Sequence, residues 1–135
     1  NLTNMKQGMV SIFLSMALKN KQIKVKGDPN RFRDFIYIDD LVDGIWRSVN
    51  RNGLNFEVIN LCSGTKTKVK EVLENISNNI SDNITVDYIE GTPGDQFGIY
   101  GCADYANKII DWKSKINFKD GMKEMISWAK RELNE

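Results

Sequence analysis

The sequence predicts a protein of the α/β class. Apolar residues recur at three- and four-residue spacing in several stretches, which indicates helices, and short alternating or continuous apolar runs between them indicate strands. The hydrophobic fraction of 41% and the charged fraction of 27% are typical of a globular protein with its own core. The chain starts at Asn1 and enters a helical pattern almost at once, so we expect it to be a piece of a longer protein.

Five helices are predicted. Apolar stripes at helical spacing place them at about 6–20, 40–50, 67–79, 104–110 and 119–133. Asp39 or Asp40, Thr67 and Asp104 are side chains of the kind that cap helix N-termini. The second helix is expected to turn one face inward, which comprises Leu41, Val42, Ile45, Trp46 and Val49.

Three strands and a short extended segment are predicted between the helices. In residues 22–26, Ile23 and Val25 should face one way and the lysines the other. Residues 34–38 look extended, and 84–89 alternate as a strand. Residues 56–61 are almost continuously apolar, as in a strand covered on both faces of a parallel sheet. One such strand alone implies that the rest of its sheet lies elsewhere.

Composition and charge exclude several classes of protein. A net charge of +1 provides no general attraction for nucleic acid or an anionic membrane. Histidine is absent, which removes the commonest general base and metal ligand, and we expect no metal site. Cys62 and Cys102 lack metal or redox spacing and are expected to be buried free thiols. No signal peptide or membrane-spanning run is found, so a cytoplasmic protein is expected.

The stretch from Arg31 to Asp40 has the most distinctive chemistry. The guanidinium of Arg33 suits a phosphate because its planar fork donates two parallel hydrogen bonds and keeps its charge. Asp34 would fix its orientation. The residues alone favour an ordinary surface ion pair between Arg33 and Asp34 over a phosphate site.

Several segments of the sequence resemble, in order and spacing, the extended short-chain dehydrogenases/reductases, the NAD-dependent epimerase/dehydratase family. Residues 27–40 match its G-D-x-x-x-x-R-D-F-x-Y-x-D-D pattern, and residues 56–64 match its F-N-V-G-x-G strand and turn. Lys6 to Ser11 resembles the start of its substrate-domain helix. Residues 94–112 and the last helix resemble its Pro-Gly-Asp stretch and its G-L-x-x-x-I-x-W ending.

The resemblance implies that residues 1–135 are the C-terminal substrate-binding part of such an enzyme, with one or two strands belonging to a Rossmann sheet outside this chain. It is closest to UDP-glucose 4-epimerase-like members, so a UDP-sugar is the expected ligand. It implies that Arg33 contacts the diphosphate, that Gly8 and Met9 lie beside the nucleotide through backbone groups, and that Lys24 and Lys26 flank the base or ribose.

The resemblance also gives Asp95 and Gln96 a contact with the sugar or ribose. A solvated strand face for the two lysines and a plain turn for residues 93–95 remain equally open. Thr92 stands where many epimerases have a second phosphate-binding arginine.

The sequence lacks the family's catalytic parts. It has no Gly-rich dinucleotide loop between a strand and a helix, and no Tyr-x-x-x-Lys pair. We therefore expect no catalytic residue and no bound cofactor in this chain. NAD would be bound by an N-terminal half of the parent protein, which would oxidise a sugar hydroxyl and reduce the ketone from the other face.

Three alternatives to an epimerase remain in view. One is a dehydratase or reductase of the same family that acts on dTDP- or GDP-sugars. Another is a non-catalytic module that binds a nucleotide sugar or a protein. The third is an RNA-binding domain, against which the near-neutral charge and the absence of a stacking platform argue. We expect neither nucleic acid nor membrane as a partner.

Two apolar segments should be uncovered if the chain folds alone. These are residues 41–49 and 56–61. Uncovered apolar faces associate, so self-association of this chain is expected, and the parent is expected to be a homodimer.

Overall fold

The structure, a computed structural model, describes residues 8–53, 56–80, 83–91 and 93–134. Helices and short strands mix along the chain, which confirms the α/β class. In chain order the elements are α1 (Met9–Asn20), β1 (Gln22–Lys26), β2 (Phe32–Arg33), α2 (Ile38–Asn50), β3 (Thr67–Lys68), α3 (Val69–Asn79), β4 (Thr85–Ile89), α4 (Asp104–Ile110) and α5 (Phe118–Asn134).

The chain divides into two compact units. The first comprises Asn1–Arg31, Lys68–Phe97 and Met122–Glu135, and the second comprises Phe32–Thr67 and Gly98–Gly121. Each has buried apolar side chains of its own.

The first unit contains a parallel pair of strands, β1 and β4. The register runs from Gln22 opposite Thr85 to Lys26 opposite Ile89. Ile23 and Val25 are fully buried, so the predicted alternation of β1 is confirmed. Helices cover the buried side, and their buried apolar residues are Phe13, Leu14 and Ala17 of α1, Val69, Val72, Leu73 and Ile76 of α3, and Met122, Ile126 and Ala129 of α5.

The second unit packs around the indole of Trp112. Ala106 and Ile110 of α4 are buried beside it, and Ile59 and Leu61 pack against the same cluster. The indole Nε1 donates a hydrogen bond of 2.9 Å to the backbone oxygen of Asp40. Because a buried indole N–H needs an acceptor, this bond ties the 112 segment to the first turn of α2.

The predicted cap of α2 is wrong. The helix begins at Ile38 with the extended residue Tyr37 as its N-cap, so Asp39 and Asp40 lie in the first turn. Asp40 is only 5% exposed. Its Oδ2 accepts hydrogen bonds of 2.9 Å from the backbone N–H groups of Lys115 and Ile116. The carboxylate therefore anchors a distant loop instead of capping its own helix.

The other two predicted caps are each displaced by one residue. Thr67 is buried in β3, and Lys68 is the N-cap of α3. The carboxylate of Glu71 accepts a bond of 2.6 Å from the Lys68 N–H and so satisfies one N–H at this helix end. Asp104 is the first residue of α4, and Ala103 precedes it as the N-cap.

The predicted strand at 56–61 is also wrong. These residues form no strand in the described chain, because a strand requires hydrogen bonds from a neighbour along its edge. Ile59 and Leu61 contact the core of the second unit, whereas Phe56 and Val58 are exposed. One side of the segment is therefore packed and the other is bare.

The expected inner face of α2 is exposed as well. Val42, Ile45, Trp46 and Val49 are each more than half exposed, and Trp46 reaches 67%. We call these four exposed side chains, with the exposed Phe56 and Val58, the bare apolar surface of the second unit. The prediction that these two segments would be uncovered is confirmed for these six residues and is wrong for Ile59 and Leu61, which pack against the core.

Candidate functional site

The first unit gathers polar side chains at one edge of its parallel strand pair. Parallel strands end at the same edge, so the turn 27–31 after β1 meets the loop 90–97 after β4. The Gly27 N–H donates to the Ile89 oxygen at 3.0 Å. A Cβ on Gly91 would lie 2.9 Å from the Gly27 Cα, so this close approach requires glycine. Crevices outside the carboxyl ends of such strands are where α/β folds bind ligands.

Arg31 connects the two segments at this edge. Its Nη1 forms an ion pair with the Asp95 carboxylate. Its Nε donates to the Asp28 backbone oxygen at 3.2 Å, and its Nη2 donates to the Lys26 oxygen at 2.5 Å. The side chain is 13% exposed, so the guanidinium is held in a largely dry environment by three acceptors.

The backbone of the same turn supports the start of α3. The Val69 N–H donates to the Arg31 oxygen at 2.8 Å, and the Lys70 N–H donates to the Pro29 oxygen at 3.0 Å. Helix N-termini leave N–H groups without internal partners, and the turn carbonyls satisfy two of them. Asp28 Oδ1 accepts from the Asn30 N–H at 2.7 Å, which stabilises the turn itself.

Six of the seven predicted binding residues lie in the first unit. Gly8 precedes α1 with a φ of 76°, and its oxygen accepts from the Ile12 N–H at 3.0 Å. Met9 is the first helical residue and is half-buried. Lys24 and Lys26 lie on the exposed side of β1.

The other two of these six are Asp95 and Gln96, in the loop after β4, and both are exposed. Arg31 joins Asp95 to Lys26, through the carboxylate of one and the backbone oxygen of the other. Sequence reasoning did not single out Arg31 as the partner of Asp95.

Arg33, the seventh residue, lies in the second unit. It is half-buried in β2, and its Nη1 donates to the Phe32 oxygen at 2.8 Å. The Phe32 ring packs edge-on against Tyr100, with ring centroids 6.3 Å apart. The ammonium of Lys66 lies 4.3 Å from the Tyr100 ring centroid, within cation–π range.

Asp34, next to Arg33, joins three segments of the second unit. Its Oδ1 accepts from the Ser63 N–H at 2.8 Å and the Ser63 hydroxyl at 2.6 Å. Its Oδ2 accepts from the N–H groups of Gly64 and Gly101 at 2.9 and 3.2 Å. Burial alone would raise the pKa of Asp34, but these four hydrogen bonds outweigh it and lower the pKa below its ordinary value. Its expected role in orienting Arg33 stays a prediction.

The two cysteines are free thiols as predicted, but they are not buried. Cys62 is half-buried and Cys102 is exposed. Burial and the negative charge of Asp34 raise the pKa of the Cys62 thiol, so it stays protonated at neutral pH.

The second unit also has a polar surface pocket of about 300 Å³. Arg47 lies in its wall, where Asp43 and the backbone oxygen of Asp111 accept hydrogen bonds from its guanidinium at 2.9 and 2.5 Å. None of the seven predicted residues lines this pocket.

The side chains at these positions have groups suited to binding a ligand. Arginine, lysine and carboxylate groups can hold a phosphate or a hydroxyl, whereas the sequence contains no Tyr-x-x-x-Lys pair for proton transfer. Within the described ranges, no three His, Cys, Asp or Glu side chains are grouped to hold a metal. No helix of the described residues is both long and apolar enough to cross a bilayer.

Comparison with known proteins places the chain in a family. Residues 4–125 match the family described as GDP-mannose 4,6 dehydratase. A protein of Methanocaldococcus jannaschii named "Putative UDP-glucose 4-epimerase" is 30% identical over 91% of this chain and 39% of its own length. The UDP-glucuronate 4-epimerase of Thermodesulfobacterium geofontis is 27% identical over 90% of this chain and 37% of its own.

A solved structure shows the same fold over nearly the whole chain. The UDP-glucose 4-epimerase of Thermotoga maritima, solved with UDP-glucose, superimposes with a TM-score of 0.90 and 21% identity, and it covers 98% of this chain and 42% of its own. The chain thus spans about two fifths of the length of the relatives it matches. From the match over residues 4–125, the chain belongs to the NAD-dependent epimerase/dehydratase family of extended short-chain dehydrogenases/reductases.

Proposed function

We propose that this chain is the nucleotide-sugar-binding portion of an NAD-dependent nucleotide-sugar epimerase, with a UDP-sugar as its ligand. The family match over residues 4–125 carries the proposal, and two of the relatives reported above are named as 4-epimerases of UDP-sugars. The carboxyl-end edge of β1 and β4 supports it, since that edge brings charged and polar side chains to the place where α/β folds take ligands.

The NAD-binding portion would lie outside these 135 residues. The bare apolar surface supports this, because Phe56 at 91% and Val49 at 76% exposure are unusual for a finished domain. Solved relatives were crystallised with NAD, including the UDP-glucuronic acid 4-epimerase of Bacillus cereus bound to UDP-glucuronic acid and NAD. The isolated chain is then expected to bind no NAD, which titration calorimetry would measure.

Arg33 would hold the diphosphate, Gly8 and Met9 would lie beside the nucleotide, and Asp95 and Gln96 would contact the ribose or sugar. Lys24 and Lys26 would flank the base. All seven are accessible or half-buried, which suits binding positions.

A dehydratase or decarboxylase is the second candidate. The matching family is described as GDP-mannose 4,6 dehydratase, and UDP-glucuronic acid decarboxylase 3 of Arabidopsis thaliana is 25% identical over 93% of this chain. These reactions share the ligand class and differ in the product.

The test is made on the full-length protein with Arg33→Ala and, as a matched control, Arg51→Ala. Arg51 is an exposed arginine of the same unit. Loss of a charge-assisted contact costs about 1.5–3 kcal/mol, so Arg33→Ala should weaken UDP roughly 10- to 150-fold. Uridine, which has no phosphate, should bind both variants equally. If Arg33→Ala binds UDP with unchanged affinity, Arg33 does not contact the diphosphate.

The reaction itself is tested by incubating the protein with NAD and UDP-glucose, UDP-glucuronate or GDP-mannose and following the sugar by NMR. Inversion at one sugar carbon supports an epimerase, and loss of water or carbon dioxide supports the second candidate. If no nucleotide sugar binds, the proposed function is wrong.

A further inference from the structure

The guanidinium at the carboxyl-end edge of β1 and β4 belongs to Arg31, which the function described above leaves without a role. Three different acceptors engage its three nitrogens, the Asp95 carboxylate and the backbone oxygens of Asp28 and Lys26. With only 13% of the side chain exposed, little of the guanidinium is accessible to a phosphate. Arg31 is therefore unsuited to bind a ligand directly.

Asp95 is the group that Arg31 can hold in position for contact with a ligand. Its side chain is 35% exposed, so a hydroxyl from solution can reach the carboxylate. It lies in a loop that follows β4, and loop carboxylates without a fixed partner sample many rotamers. The ion pair with Arg31 restricts that freedom.

A second segment of the chain supplies this contact. Arg31 brings a guanidinium to Asp95 from the turn after β1, which the close approach of Gly27 and Gly91 holds against the loop.

We propose that Arg31 is a positioning residue for the nucleotide sugar: it fixes the Asp95 carboxylate as the acceptor for a hydroxyl of the ligand. This rests on the proposed function, because it requires a nucleotide sugar at this edge. Arg31 acts through Asp95 and does not touch the ligand.

The role depends on the guanidinium fork and not only on charge. A lysine at position 31 keeps the charge but has one nitrogen, which cannot reach three acceptors in three directions. Arg31→Lys should therefore weaken UDP-glucose nearly as much as Arg31→Gln. Both should raise the KM at least 10-fold and change kcat less than threefold, because the carboxylate orients the ligand and takes no part in proton transfer.

A double-mutant cycle separates positioning from a purely structural role. The full-length protein is prepared as Arg31→Gln, Asp95→Asn and the double variant, with Arg131→Gln as a matched control. Arg131 is an exposed arginine of the same unit. The dissociation constants of UDP-glucose are measured by calorimetry, with circular dichroism as the check of folding.

If Arg31 acts through Asp95, the double variant binds UDP-glucose as weakly as Asp95→Asn alone, and Arg131→Gln binds like the wild type. If the two losses multiply, Arg31 has only a structural role and the proposal is wrong. Should Arg31→Gln not fold, Asp95→Asn still tests the acceptor, and its undiminished affinity would overturn the proposal.

The wild-type protein separates a failure of the proposed role of Arg31 from a failure of the proposed function. Wild-type protein that binds UDP-glucose while Arg31→Gln binds it equally well overturns the role of Arg31 alone. Wild-type protein that binds no nucleotide sugar overturns the proposed function together with this inference.

Discussion

Asp40→Ala is the substitution that tests the architecture of the second unit most directly. The carboxylate is 5% exposed, and its Oδ2 holds the N–H groups of Lys115 and Ile116 at 2.9 Å each. Hydrogen bonds to a charged group are each worth about 1.5–3 kcal/mol. The two N–H groups are only partly buried and regain some hydration, so the expected loss of unfolding free energy is about 3 kcal/mol.

Two further variants calibrate this loss. Asp40→Asn keeps the shape and one oxygen, and because both bonds go to a single oxygen, the amide can retain them as neutral bonds at a cost of about 1 kcal/mol. Asp39→Ala alters an exposed carboxylate in the same helical turn. It removes only a favourable charge near the helix N-terminus, worth about 0.3–1 kcal/mol.

Hydrogen–deuterium exchange at Lys115 and Ile116 measures the effect locally, and urea denaturation measures it for the whole protein. A loss of about 3 kcal/mol accelerates exchange roughly 150-fold where exchange proceeds by unfolding of the unit. If Asp40→Ala destabilises no more than Asp39→Ala, the carboxylate does not anchor the loop and the reasoning fails.

Three other predictions follow from the second unit. The pKa of Asp34 is lowered in the folded protein, so its carboxylate stabilises the fold above the ordinary carboxyl pKa, and this stabilisation is lost as the pH falls through the folded pKa. Asp34→Asn should therefore make the free energy of unfolding depend less on pH in acid, and equal pH dependence in the variant and the wild type would contradict this. A Cβ at Gly44 would lie 2.8 Å from Leu61, so Gly44→Ala should cost about 1–3 kcal/mol by urea denaturation, and adding Leu61→Val should restore part of it. A stabilising Gly44→Ala would contradict the packing. The isolated chain should self-associate through the bare apolar surface, and Trp46→Gln with Val49→Gln should lower its mass in sedimentation; a wild-type chain that is monomeric at high concentration would refute this.

Local periodicity explains what the sequence could predict. The alternation of β1 and the apolar stripe of α3 are set by neighbours two to four residues apart, and both appear in the structure as predicted. The stripe of α2 was found correctly too. Its exposure in this chain did not follow from the stripe, because periodicity identifies an apolar face and does not say whether a partner covers it; it followed from the expectation that the partner lies outside this chain.

Non-local contacts explain what the sequence could not predict. Asp40 has the chemistry of a helix cap, and only the position of residues 115–116 reveals that its carboxylate is used elsewhere. The residues next to Arg31 in sequence likewise do not indicate its partner. The parallel pairing of β1 with β4 brings Asp95 close to Arg31, and that pairing cannot be predicted from the sequence of either strand alone.

The parallel pairing also has a consequence for how the chain acquires its fold. β1 pairs Gln22 with Thr85, so a long loop must close before this sheet gains any contact. The first unit is discontinuous in sequence, and its core includes Met122, Ile126 and Ala129 near the end of the chain. Such long-range contacts slow folding. During synthesis the core of the first unit is therefore complete only once α5 has left the ribosome.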